Sequence, residues 1–173
     1  MYDEVVSKTR EEWNEYLLDD GEVRSEKDYP WIIFSLDRTE YGVNSKYVLS
    51  IEILGAITPI VDAGHCCPGI TRSRGDMIEL LDLRALFGLG DYRRGKTDSW
   101  DERYMIVVIE AGGVKRGVIV DQVVSVEHVT HFEETTADAG KNVVSSRWVE
   151  RIAKRDKLDS PLLIISPQCL NPR

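Results

Sequence analysis

The chain has 173 residues, 42% of them hydrophobic and 30% charged, and a formal net charge of −8. That balance suits a soluble chain of one domain or two small ones. It excludes a membrane span, because the longest wholly apolar run, Met105 to Ile109, falls far short of the ~20 residues a spanning helix needs. Residues 1–30 hold ten acids against four bases, and nucleic acid is a poor partner for so acidic a chain, since phosphate binding needs Lys and Arg to neutralise it.

In chain order, Thr9-Arg10-Glu11-Glu12 has capping-box spacing and predicts a short helix with Trp13, Tyr16 and Leu17 on one face and Gly21 as its stop. So short a helix is marginal in water, and its aromatic stripe is expected to dock on the body or on a partner. Residues 22–29 are charged and read as a linker, so 1–29 form an acidic helical extension and 30–173 the main domain. After Pro30 the pattern changes to strands. Trp31 to Leu36 is apolar on nearly both faces, as a buried strand is. A polar turn at Asp37 to Glu40 follows, and Tyr41-Gly42-Val43 starts the return strand. Val48, Ile51, Ile53 and Leu54 form a further segment, and Thr58-Pro59-Ile60 a short edge or connection. Asp91 to Glu102 is a polar loop and the expected internal boundary. Met105 to Glu110 and Val114 to Val120 flank Ala111-Gly112-Gly113, a strong hairpin signal. Val123 to Val129 extends a β-branched run, Ser145 to Lys157 is expected to be helical, and Leu162 to Ile165 closes as a buried strand before a last turn at Ser166-Pro167. Many short strands, glycine turns and little helix predict a mainly β fold, barrel or sandwich.

The stretch from Pro68 to Gly90 is the most informative. A turn signal and a short apolar step lead to Arg72-Ser73-Arg74-Gly75-Asp76. A strand-like run, Met77 to Leu81, then enters Asp82-Leu83-Arg84-Ala85-Leu86-Phe87-Gly88. Gly75 permits a sharp bend, Asp82 can cap a short helix and Gly88 can end it. This stretch resembles the signature of CheW-like domains, roughly G-[IV]-x-N-L-R-G-x-[IV]-[IV]-P-[VI]-[IVL]-D-L-R-x-x-[LF]-G. Gly69-Ile70, Arg74-Gly75, Ile78, Leu80-Leu81, Asp82-Leu83-Arg84 and Phe87-Gly88 fit in register. The usual Asn-Leu is replaced by Arg72-Ser73 and the usual Pro by Glu79. Phe34, Leu36 and Tyr41-Gly42-Val43 resemble the family's opening hairpin. Gly117 to Val123 is similar to its G-[ILV]-x-V-D-x-V segment, and Leu162 to Leu170 to its closing segment.

The resemblance implies two packed small five-stranded SH3-like β-barrels with an apolar groove near their junction. It also implies a non-enzymatic, cofactor-free adaptor of the cytoplasm that couples a chemoreceptor's cytoplasmic tip to the regulatory domain of the histidine kinase CheA, without inserting into the membrane. Carried over by resemblance, the partner-binding residues are Arg74 and Gly75 at the bend and Val43 and Val48 at the groove, although strand spacing at the two valines also suits plain core packing. The Glu that accompanies this Arg in many relatives aligns with Ser50. Glu52, two residues on and on the same strand face, is the candidate substitute, with Asp76 the alternative. Two other readings stand beside this one: a divergent module with a different protein partner, and a small-ligand-binding β-barrel.

Enzyme chemistry has no foothold. No Walker A, G-x-S-x-G or G-x-G-x-x-G run is present. His65-Cys66-Cys67 groups three metal-capable side chains, but neighbours on an extended chain alternate sides and no C-x-x-C completes a tetrahedral zinc site. His128 and His131 read as ordinary strand residues on opposite faces. Asp82 and Asp121 follow apolar runs as a phosphoacceptor does, without the alternating helices of a receiver domain. Three cysteines, one of them remote, make no disulfide framework and agree with a reducing, cytoplasmic compartment, as does an acidic N-terminus without a signal-peptide core.

Overall fold

The computed structural model describes residues 25–95, 103–134, 148–155 and 158–171. The helix expected around Trp13 lies outside them, as does Thr135 to Lys141, a small and polar stretch whose sequence reads as a loop. Eleven strands are present among the described residues. They are β1 (Trp31–Leu36), β2 (Thr39–Asn44), β3 (Val48–Ile53), β4 (Ile70–Ser73), β5 (Asp76–Asp82), β6 (Met105–Ala111), β7 (Val114–Val120), β8 (Gln122–Glu127), β9 (His131–Glu134), β10 (Val149–Arg155) and β11 (Leu158–Ile165). One short helix, α1 (Leu83–Leu86), follows β5.

The strands form two sheets, ordered β8-β1-β2-β11-β10-β9 and β3-β6-β7-β5-β4. Both curl until distant strands meet. Trp31 of β1 lies against Phe132 of β9 with ring centroids 5.4 Å apart. At the seam of the second sheet, Ser73 Oγ of β4 donates to Glu52 Oε2 of β3 at 2.5 Å, and Thr58 bridges to Ile70. The result is the expected pair of small barrels, with six strands in one rather than five. The run Val123 to Val129 breaks after Glu127, and the separate strand β9 pairs with β10 from Lys154↔His131 to Arg151↔Glu134.

Three apolar clusters explain why so many strands lack a polar face. Trp31 and Ile33 fill the six-stranded barrel with Ala153, Leu162 and Ile164. Ile106, Val108 and Ile119 fill the five-stranded one with Ile78 and Leu80. The alternate residues of the same strands, Ile32, Phe34 and Leu36 on β1 and Val107 and Ile109 on β6, point the other way and form a third core between the barrels. With a side-chain period of two, a strand shared by a barrel interior and the junction must be apolar throughout. At ~1.5–3 kcal/mol for each large side chain buried, the junction is as much a folding core as either interior.

The barrels are interleaved along the chain. The first takes β1, β2 and β8 to β11, and the second takes β3 to β7. The loop beginning at Asp91 therefore joins α1 to β6 within one barrel and is no boundary. The crossings are the 3-10 turn Ser45–Tyr47, capped by Asn44, and the step at Asp121, whose N–H donates to Ser35 O. The expected helix over 145–157 is instead strand β10. Its basic residues are drawn into barrel pairings, Arg151 with Glu26 and Arg155 with Glu40 and Glu127, while Ala153 turns inward, so tertiary packing overrides a helical spacing. Glu26, expected in a linker, begins a 3-10 turn held to the body, its carbonyl accepting from Asn44 Nδ2 at 2.9 Å. His131 opens β9, whereas His128 precedes it outside any strand.

Candidate partner-binding surface

Arg74 and Gly75 are the two central residues of a tight hairpin between β4 and β5, closed by Ser73↔Asp76. Both have positive φ, 49° for Arg74 and 91° for Gly75. Such a pair is the primed turn that two-residue hairpins favour, because its twist matches that of the strands. Gly75 takes this conformation freely. Arg74 takes it at a cost of about 1–2 kcal/mol, and its exposed side chain is thereby held away from the barrel.

Ser50, Glu52 and Ser73 meet beneath this tip. Glu52 Oε2 accepts from Ser50 Oγ at 2.7 Å and from Ser73 Oγ at 2.5 Å. Ser50 and Ser73 are buried, so the carboxylate satisfies two hydroxyls that would otherwise be stranded in the seam. Glu52 therefore does share the face of Ser50, and it is engaged within the barrel. Asp76, exposed at the end of the barrel, reaches Lys115 at 3.7 Å.

An open cleft of about 600 Å³ lies at one end of the junction, lined by Tyr47, Ala111, Val114, Pro167 and Leu170, with Glu150 at its edge. Val48, next to Tyr47, pairs with Ile109 and is 1% exposed, as is Val43. Both valines belong to the junction core and lie beneath the surface rather than on it.

A buried charge cluster that sequence reasoning missed holds the barrels in register. Asp82 caps α1, its Oδ1 accepting from Ala85 N–H at 3.1 Å and its Oδ2 from Tyr92 N–H at 2.8 Å. This fixes the turn from which Arg84 crosses to the other barrel. Arg84 Nη1 lies 2.7 Å from Asp37 Oδ1 and 3.1 Å from Asp121 Oδ2, and Nη2 donates to Leu89 O at 3.3 Å. The side chains of Arg84, Asp121 and Asp37 are 4%, 10% and 52% exposed. Burial pulls the guanidinium pKa down, but the hydrogen bond to Asp37 and the charges of both aspartates outweigh it and leave the group above its ordinary value. Burial pushes the nearby Tyr41 hydroxyl up to about 12, aided by Asp37 and opposed by Arg84. Burial also raises Asp82 against its backbone hydrogen bonds. The only sequence signal was the D-L-R and V-D-x-V segments, with nothing to say that Asp37 completes them.

His65 Nε2 lies 3.2 Å from Cys66 Sγ, and burial first, then Asp82 and Cys67, raise the Cys66 thiol. No three His, Cys, Asp or Glu side chains converge on a metal-sized site among the described residues, and no helix there is long and apolar enough to cross a membrane.

Two interleaved SH3-like barrels, with an arginine corner on one and an open cleft at their junction, define a two-barrel β module. The chain belongs to the CheW-like domain family, whose model matches residues 30–170. It is 30% identical over 100 residues to the chemotaxis protein CheW of Klebsiella aerogenes, a match spanning 58% of this chain and 57% of that protein's length. The crystal structure of the scaffolding protein TtCheW from Thermoanaerobacter tengcongensis superposes with a TM-score of 0.70 at 28% identity, covering 84% of this chain and 93% of that one.

Proposed function

We propose that this chain is a non-catalytic adaptor of the cytoplasm that couples chemoreceptors to the histidine kinase CheA. Residues 30–173 are the coupling domain and residues 1–29 an acidic extension. The observation that carries the reading is the Arg74-Gly75 corner: an exposed arginine held in a left-handed conformation at a hairpin tip on a CheW-like fold. A turn that sacrifices stability to present one planar, bidentate cation is understandable if a partner uses it. Arg74 and Gly75 then make the direct contact and Glu52 fixes the strand edge beside them. Val43 and Val48 set the shape of the junction cleft from below.

Ser50 and Ser73 favour a second version of the same role. Where relatives carry Glu and Leu, this chain ties two serines to Glu52, and Arg74 is left without that Glu. A divergent module with an altered partner face follows naturally. Pull-downs with the CheA regulatory domain and with a receptor-tip fragment separate the readings. Arg74→Glu is expected to weaken capture while leaving unfolding stability within about 1 kcal/mol, as for a surface change. Equal capture by that variant would remove Arg74 from the interface, and capture of neither partner would overturn the coupling role.

A further inference from the structure

The chain enters its first barrel beside the junction cleft. Ser25 N–H donates to Asp28 Oδ2 at 2.7 Å and closes the 3-10 turn Glu26–Asp28, which Asn44 Nδ2 holds by donating to Glu26 O at 2.9 Å. The same buried Asn44 accepts at Oδ1 from Lys46 N–H at 3.0 Å, capping the turn that supplies Tyr47 to the cleft wall. A second tie runs to Glu150 at the cleft edge. Arg151 Nη2 lies 2.8 Å from Glu26 Oε1 and 3.2 Å from Glu150 Oε1. The Arg151 guanidinium is itself held over two rings, 4.7 Å from the centre of Phe132 and 5.6 Å from that of Trp31. One nitrogen thus joins the entry turn to the cleft.

The cleft is an open continuation of the junction core. Tyr47, Ala111 and Val114 pack against that core and are half-buried, as is Pro167, and the buried Leu170 completes the apolar lining. Glu150 is engaged by Arg151, whereas Lys46 Nζ stands 5.9 Å from the centre of the Tyr47 ring and sets a cation at the wall. The residues before this entry turn, 1–24, lie outside the described residues and hold the aromatic stripe of Trp13, Tyr16 and Leu17.

We infer that residues 9–17 of this same chain dock in the cleft, setting Trp13, Tyr16 and Leu17 against Tyr47, Val114 and Pro167. The spacing of the three gives one apolar face, and the short helix it predicts holds only when that face is packed. Leu17 lies eight residues before Ser25, a tether that reaches up to ~26 Å when extended, from an anchor already tied to two cleft residues. So short a link gives the segment a local concentration on the order of millimolar, an advantage that no free partner has. The acidic balance of the extension suits Lys46 at the wall, since the carboxylate at the edge is already matched. Docked in this way, the extension closes the cleft to other proteins until it is displaced. That closure rests on the coupling role; the docking does not.

The test compares backbone amide shifts of the full wild-type chain with those of the double variant Trp13→Ser and Leu17→Ser, which leaves both barrels unaltered. Shift changes are expected at Tyr47, Ala111 and Val114, with Arg74 and Gly75 unmoved. The pattern should persist on roughly tenfold dilution, as an intramolecular contact must. Unmoved cleft amides, or changes centred on another face, overturn the docking. Changes that fade on dilution beside a dimer mass in sedimentation equilibrium overturn it in favour of a second copy. Titration with the receptor-tip fragment and with the CheA regulatory domain reads the closure: the double variant should bind at least one of them about threefold more tightly, because the occupied fraction no longer competes. Unchanged Kd for both overturns the closure and leaves the coupling role standing. Binding to neither overturns the coupling role and the closure together, and the amide map still decides the docking.

Discussion

Arg84→Met isolates the charge cluster that ties the two barrels together. Methionine keeps most of the apolar stem, so the change removes the guanidinium with little loss of packing. Asp121 then remains buried, with Asp37 N–H still donating to its Oδ2 at 2.7 Å but without the Arg84 guanidinium beside it. Breaking a buried pair from one side costs about 3–5 kcal/mol, whereas a half-exposed partner counts on the surface scale of about 0–1 kcal/mol. The expected order of destabilisation is therefore Arg84→Met at about 3–5 kcal/mol, Asp121→Asn between, and Asp37→Asn at no more than about 1 kcal/mol. Asn is the right probe at 37 because that residue has φ 54° and Asn tolerates the left-handed region. Urea unfolding followed by far-ultraviolet circular dichroism reads all three. The midpoint should fall with an unchanged m-value, because the junction core still joins the barrels into one cooperative unit. A loss under about 1 kcal/mol for Arg84→Met, or equal losses for Arg84→Met and Asp37→Asn, would refute the assignment of the stabilisation to the buried Arg84–Asp121 pair.

Other perturbations probe the hairpin, the helix cap and the strand entry. Arg74→Asn relieves the left-handed arginine and should stabilise the chain by up to about 1 kcal/mol while weakening partner binding; a variant both less stable and equally tight would contradict the turn assignment. Asp82 is an acid whose folded pKa is raised, so between its ordinary value of about 3.8 and the raised one the folded chain binds the extra proton and stability falls as pH rises. Asp82→Asn, which can keep the bond from Ala85 N–H, should therefore gain on wild type in urea midpoints measured from about pH 3 to about pH 7; a growing wild-type advantage would reverse the sign of the burial effect. Gly69 has φ 150°, and a Cβ there would sit 2.2 Å from Thr58 O, so Gly69→Ala must open the Thr58–Ile70 bridge and should cost more than about 2 kcal/mol. Gly75→Ala, with open space around it, should cost only the about 1–2 kcal/mol of the left-handed region; equal melting temperatures for the two variants would show that the close approach at Gly69 does not matter.

Local pattern carried most of the fold. Ala111-Gly112-Gly113 and Arg74-Gly75 mark hairpins because glycine at positive φ is a local requirement, and Asp82 and Gly88 bound α1 for equally local reasons. The continuous apolar runs at Trp31 and Met105 predicted strands buried on both faces, which is how they lie. Reading failed where partners come from far along the chain. Residues 145–157 have a helical distribution of bases, yet Arg155 is matched by Glu40 and Glu127 on other strands, and no local signal reports that. The interleaving of the barrels was equally hidden, since a polar loop after α1 resembles a boundary whether or not the chain returns to the same sheet. At the site, Arg74, Gly75 and Glu52 were legible as residues. The occupation of Glu52 by two serines was not, because Ser73 meets it across a seam between strands that share no ladder.

That seam ties together two of this chain's departures from the family's usual run, Ser50 and Ser73. Ser50, Glu52 and Ser73 are one hydrogen-bonded set, and each member makes sense only with the others. Restoring Glu at 50 alone would set a second carboxylate beside Glu52 in a buried seam, where like charges raise one another's cost. Restoring Leu at 73 alone would leave Glu52 with a single hydroxyl and an unmatched apolar face against its charge. The seam in turn anchors β4, the first strand of the hairpin whose tip is Arg74, so the inward face of β4 decides how firmly its outward face is presented. The set must change as a unit if the outer face is to keep its geometry.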